Sequence, residues 1–295
     1  TAQGEIDAFV ALARRPDTIV TTFGDLMRVP GSGSSLQQER SRGCDIRVVY
    51  SPLDALTIAR ENPDCKVVFL GVGFETTAPT IAAAIFSAKQ AGITNFLVYA
   101  AHKTVPAALN ALMATGDTQL DGFLLPGHVS VIIGLDAYRP FFQAQQVPCV
   151  VGGFEPVDIM LAVRMLIEQI ENEAPALENA YGRAVSMAGN LKAQALMATV
   201  FKPCDAIWRG IGSIPASGLA IAEAYADFNA AKVLDLQVRE APEPKGCACG
   251  EILLGRKTPP ECALYKKRCS PMNPVGPCMV STEGTCAAYF RYHNP

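Results

Sequence analysis

Residues 66–92 read KVVFLGVGFETTAPTIAAAIFSAKQAG. The first eight residues, Lys66–Gly73, form a β-branched run that stops at glycine. The run is apolar on both faces, as in a strand covered by helices on each side. Pro79–Ala91 follows, Ala-rich and of helical period. Similar runs occur at Thr18–Thr22, Ile46–Ser51, Asn95–Ala101, Gly122–Gly127 and Cys149–Gly153. Val105–Ala114 is a second Ala-rich helical stretch. Glu155–Asp158 opens a further helix, with Ile159, Val163, Leu166 and Ile170 on one face, and it ends around Asn172–Pro175. Strand–helix alternation of this kind predicts α/β architecture with βαβ units and parallel sheet.

The rest of the chain changes character. Leu191–Val200 is again a helix candidate, and Trp208–Pro215 reads as a loop carrying the only tryptophan. Glu240–Lys245 is a proline-punctuated linker. A tail follows that is rich in glycine, proline and cysteine and poor in regular period, so it needs a staple.

With 295 residues, the chain has room for two or three cores. Its net charge of -3 opposes nucleic-acid binding, which calls for a basic stripe. No run of about 18 apolar residues suggests a membrane span, and no secretory leader is evident. The expected location is the cytoplasm, where clustered thiols favour metal over disulfides.

Six of the ten cysteines lie in the tail, at Cys247, Cys249, Cys262, Cys269, Cys278 and Cys286. Cys44, Cys65, Cys149 and Cys204 are scattered singly in apolar segments and read as small buried hydrophobes. The tail spacing matches neither a zinc ribbon nor a bacterial ferredoxin run. Thiolates suit zinc and iron–sulfur clusters alike. The spacing therefore leaves cluster, structural zinc and disulfide open.

Polar residues gather after several strands, where open α/β folds bind ligands. Gly71-x-Gly73 hints at dinucleotide binding, but Thr76 stands in the third glycine position. Thr76 or Thr77 is a candidate cap for the helix that Pro79 helps start. Glu75 is a candidate ligand or base. His128 and Glu155 occupy equivalent positions after the next strands, in Pro126–Ser130 and Gly152–Pro156. Asp25 and Arg28 follow the first strand, as a local ion pair or as cleft residues. His102 reads as structural.

The chain resembles the HypD family of hydrogenase maturation factors. The resemblance rests on TFGDLMRVPGSGSSL (22–36), VVYSPLDAL (48–56), FLGVGFETTAPT (69–80), PGHVSVIIG (126–134), GGFEPVDI (152–159), AGNLKAQA (188–195), WRGIG (208–212), CGEILLG (249–255) and GPCMVSTEGTCAAYF (276–290). These motifs run through the whole chain in order.

The resemblance implies two parallel-sheet α/β domains flanking a cleft, plus a small irregular C-terminal domain with a [4Fe–4S] cluster. The corresponding division is 1–66, 67–175 and 176–295. It implies work on the Fe(CN)2CO unit of nickel–iron hydrogenases, together with HypC and HypE. The implied cluster ligands are Cys249, Cys262, Cys269 and Cys286, with Cys278 the alternative and Cys247 a bystander. Glu75, Thr76, Thr77, His128 and Glu155 would face the cleft. Family members also carry a CGGHTH and a GPGCPVC motif, whose cysteines are expected to hold iron and form a redox-active pair. Neither occurs here. The resemblance thus implies a chain truncated at its amino end and not competent alone.

Overall fold

The computed structural model describes residues 1–114, 118–236 and 244–293. The first sheet holds β1 (Thr18–Thr22), β2 (Ile46–Val48), β3 (Lys66–Gly71) and β4 (Phe96–Ala100), in the order β2-β1-β3-β4. All its pairings are parallel. Side chains alternate strictly between two cores, as the strand period requires. Val67 and Phe69 pack with Ala55, Leu56, Ile81 and Ile85, from α3 (Pro52–Glu61) and α4 (Ala78–Gln90). Val68 and Leu70 pack on the other face with Ile6, Phe9 and Leu12 of α1 (Gln3–Ala13) and Leu36 of α2 (Leu36–Ser41). Burial on both faces is why β3 and β4 carry nearly unbroken apolar runs.

Phe9 is fully buried and meets Tyr99 edge-on, with ring centroids 5.1 Å apart. Phe9→Ala is expected to cost about 3–5 kcal/mol, read as a lower urea midpoint with an unchanged slope.

The second parallel sheet has β6 (Phe123–Pro126), β7 (Cys149–Gly152) and β8 (Leu177–Asn179) in sequence order. Its core includes Leu125, Tyr138, Phe141 and Val151. Helices α5 (Val105–Ala114), α6 (Gly127–Ile133), α7 (Arg139–Gln145) and α8 (Pro156–Glu171) belong to this part. Between the two lies an antiparallel sheet of β5 (His102–Lys103), β9 (Phe201–Trp208) and β10 (Gly212–Ile221), in the order β5-β10-β9. Helix α9 (Leu191–Val200) leads into it, with Asn190 capping the Ala193 N–H at 3.1 Å. The short α10 (Ala230–Val233) closes this part.

Several expectations need correcting. A boundary at 66/67 would sever β3 and β4 from their own sheet, because Thr18–Thr21 pairs with Lys66–Phe69. The second sheet likewise runs past 175 into β8. Trp208–Pro215 contains the end of β9, a turn and the start of β10. Gly210 and Gly212 adopt φ of +87° and +101° there, a region open to glycine. The face of α8 turned inward carries Asp158, Ala162 and Gln169, whereas Ile159 and Ile170 are exposed. Residues 240–243 of the expected linker lie outside the described residues. Among the described residues, no helix is long and apolar enough to cross a membrane.

A thiol-walled cavity and the cleft beside it

The tail is folded from short pieces: α11 (Cys249–Leu253), α12 (Pro277–Val280) and α13 (Thr285–Tyr292). Cys249 starts α11, Cys278 lies in α12, and Cys286 lies in the first turn of α13, where backbone N–H groups favour a thiolate. Cys262 follows a single turn, Pro259–Glu261, held by Glu261 accepting from the Thr258 N–H at 2.6 Å. Cys269 closes a turn by donating its N–H to the Leu264 carbonyl at 2.9 Å.

These five thiols are buried and Cys247 is half-buried, and all six wall one small cavity with Ile252, Leu264, Tyr265 and Met279. All ten cysteines are free thiols, none in a disulfide. Cys249 Sγ and Cys278 Sγ are 2.7 Å apart. Cys278 also hydrogen-bonds Cys286. The Cys249 contact and then the Cys286 contact raise the Cys278 pKa, and the Cys278 contact lowers that of Cys286. Burial pushes Cys247 up to about 11. The Cys269 sulfur accepts the Val275 N–H at 3.3 Å.

Among the described residues, no carboxylate or imidazole lines this cavity. An all-sulfur donor set suits an iron–sulfur cluster or zinc. Among the described residues, no three His, Cys, Asp or Glu side chains are arranged to hold a single metal ion.

Against this cavity lies a cleft of about 940 Å³. Its walls come from the start of α1, the end of β4, β5, the β9–β10 hairpin and residues 247–251. Cys247 and Cys249 belong to both walls. Lys103 Nζ meets Glu5 Oε1 at 2.7 Å, with both side chains largely buried. Burial, and secondarily the Lys103 charge, pushes His102 down to about 3, so its imidazole is neutral. Among the described residues, neither His102 ring nitrogen has a hydrogen-bond partner. Burial and the nearby Glu5 raise Tyr99.

The strand-exit residues are placed differently from expectation. Glu75 is buried, and both its carboxylate oxygens accept the Val105 N–H, at 3.0 and 3.3 Å, at the start of α5. It is not among the residues walling the cleft. Thr77 does not cap α4, because its hydroxyl donates back to the Val72 carbonyl at 2.8 Å. Thr76 is half-buried beside it. His128 stacks on Phe154 with centroids 4.4 Å apart. Glu155 is exposed and pairs with Arg183 at 3.1 Å, while Arg183 also grips Asp158 at 2.6 Å. Among the described residues, no hydrogen bond or ion pair links Glu75, His128 and Glu155. Asp25 and Arg28 are exposed and unpaired with each other; Asp25 instead accepts the Leu26 N–H at 3.0 Å.

Burial raises the Glu75 pKa from 4.5 to about 7, outweighing its backbone hydrogen bonds. Between those values the folded chain holds a proton that the unfolded chain has released. Glu75 thus costs stability as pH rises from 4.5 to about 7, on the order of 3 kcal/mol in all. Glu75→Gln is expected to flatten the fall in unfolding free energy across that window and to be the more stable form at pH 8. An unchanged slope would contradict this placement.

Glu5, Lys103 and Arg183 were not signalled as site residues by the sequence. Only Lys103 left a trace, as a charge just past an apolar strand, in AAHKTV.

Fold and cavity define an α/β protein with a thiol-walled pocket stapled onto a cleft. The HypD family, described as hydrogenase formation hypA family, matches residues 1–293. Hydrogenase maturation factor HypD of Azotobacter vinelandii is 46% identical, the match covering 98% of this chain and 78% of that protein. The corresponding factor of Rhodobacter capsulatus is 45% identical and that of Escherichia coli K12 is 44% identical, at the same coverage. The chain belongs to the HypD family.

Proposed function

We propose that this chain acts in hydrogenase maturation as the cluster-bearing part of a scaffold on which the Fe(CN)2CO unit is assembled. The observation that carries this reading is the shared wall: Cys247 and Cys249 face both the thiol cavity and the cleft. Cys249, Cys262, Cys269 and Cys286 would hold the cluster. The contact pattern supports that set. Cys278 touches both Cys249 and Cys286, and thiols in contact do not serve separate irons. A [4Fe–4S] cluster bound there would supply single-electron transfer beside the cleft.

The chain's own groups do the rest. The Val275 N–H on the Cys269 sulfur stabilises negative charge on that ligand. Lys103 and Glu5 fix a charge pair in the cleft wall. Glu75, poised near neutrality, can hold or release a proton at the start of α5. HypC and HypE are the partners this reading calls for, at the cleft that receives the iron cargo.

The test is a chimera in which this chain replaces the matching 78% of the Azotobacter vinelandii relative, purified without oxygen together with HypC. Infrared bands of iron-bound cyanide and carbon monoxide are expected. They should vanish on Cys269→Ala. A chimera with its cluster loaded but no such bands would overturn the scaffold role.

A further inference from the structure

We propose that the basic turn Lys266–Arg268 is the docking point for an acidic one-electron carrier protein, which reduces the cluster from the Cys269 side. This rests on the cluster reading above and adds the partner that supplies its electron. Charge is divided unevenly along the chain. Residues 244–295 hold seven Lys or Arg against three Glu, a formal +4, while the whole chain is -3, so residues 1–243 stand at -7. Such asymmetry marks a part of a chain that meets an oppositely charged partner. Two of the three tail carboxylates are engaged: Glu261 accepts the Thr258 N–H at 2.6 Å, and Glu251 pairs with Arg256 at 3.5 Å. Lys266, Lys267 and Arg268 are exposed, and among the described residues no acidic side chain pairs with them.

The turn sits on the thiol cavity. Leu264, Tyr265 and Cys269 bracket it, and all three wall that cavity. The Arg268 and Cys269 N–H groups both donate to the Leu264 carbonyl, at 3.1 and 2.9 Å, and the Lys266 N–H donates to the Cys269 carbonyl at 3.2 Å. Three cations are thus held within three residues of a cavity sulfur. Lys266 Nζ lies 5.7 Å from the ring centroids of both Tyr265 and Phe290. Lys266 takes φ of +56°, a conformation glycine adopts at lower cost, so the turn carries a charge where its backbone favours glycine. Met272 follows, almost wholly exposed, as an apolar point of contact. A small, charge-steered surface of this kind fits a transient electron carrier. It does not fit a nucleic acid, which needs a longer basic stripe and would be repelled by the acidic remainder. The step is a single electron: the reduced carrier loses it, the cluster gains it, and no bond or proton moves.

The test uses the full chain prepared without oxygen, with an acidic flavodoxin reduced to its hydroquinone as the probe. Stopped-flow bleaching of the cluster gives the rate, and calorimetry of the oxidised pair gives binding without electron transfer. The wild-type rate should fall about tenfold as ionic strength rises from about 20 to about 300 mM. The triple variant Lys266→Glu, Lys267→Glu, Arg268→Glu should be slower by about tenfold at low salt, nearly indifferent to salt, and without calorimetric binding. Methyl viologen radical, a small cationic reductant, should bleach both chains. Arg60→Glu with Lys66→Glu, a charge reversal on α3 and β3, should leave the flavodoxin rate within about twofold. A triple variant reduced by flavodoxin as fast as wild type would overturn the docking, even if the turn proved to bind a single-stranded oligonucleotide. An equal loss in the Arg60 and Lys66 variant would overturn it too. A wild-type chain that methyl viologen does not bleach would bring down the cluster reading itself, and the docking with it.

Discussion

Cys262→Ala is expected to strip the tail of most of its iron and to unfold it, while both parallel sheets stay intact. The tail has little else to hold it. Its helices are short, and the residues that form its core are largely the thiols themselves. In such segments metal-binding free energy is folding free energy, about 10–16 kcal/mol for structural zinc peptides. Limited proteolysis gives the readout, since Lys266, Lys267 and Arg268 are exposed beside Cys269. Cleavage there should rise sharply in the variant, with nearly unchanged far-ultraviolet circular dichroism from the sheets. A variant that keeps its iron and resists protease would contradict the assignment of Cys262.

Glu5→Leu should be among the most destabilising single changes outside the tail. It would leave the Lys103 ammonium without its partner, in a side chain only 7% exposed. Breaking a buried pair from one side costs about 3–5 kcal/mol, because the remaining charge is uncompensated. The double variant Glu5→Leu with Lys103→Met removes both charges and should recover most of that loss. Urea unfolding of the wild type, both singles and the double closes the cycle. A Glu5→Leu cost below about 1 kcal/mol would place the pair in the class of solvated surface bridges instead.

The strands were legible because burial on both faces leaves an unmistakable mark. Thr18–Thr22 and Cys149–Gly152 are buried throughout; the first reads as a β-branched run and the second as an apolar one. What the runs could not show was their partners. Parallel pairing joins β1 to β3 across more than 40 residues, and nothing local in Lys66–Gly71 records it. The β9–β10 hairpin was missed because Pro203, Pro215 and Gly218 interrupt the alternation that marks a strand. The α8 stripe misled because apolar period signals a face without saying what covers it; Asp158 lies inward because Arg183 pairs with it.

The six tail thiols announced themselves by crowding, and the fold brings all six to one cavity. The strand-exit residues did not converge in the same way. Glu75 went to a helix start, His128 to Phe154 and Glu155 to Arg183, each satisfied by a neighbour distant in sequence. The wall shared by the thiol cavity and the cleft depends on how residues 247–251 dock against the Gly210 turn. That docking is tertiary, and no local pattern encodes it.

Metal analysis of the chain purified without oxygen tests the central reading most directly. The expected result is a brown protein with about four irons and a matching amount of acid-labile sulfide per chain. A colourless protein with one zinc and no iron, its tail fully ordered, would contradict it.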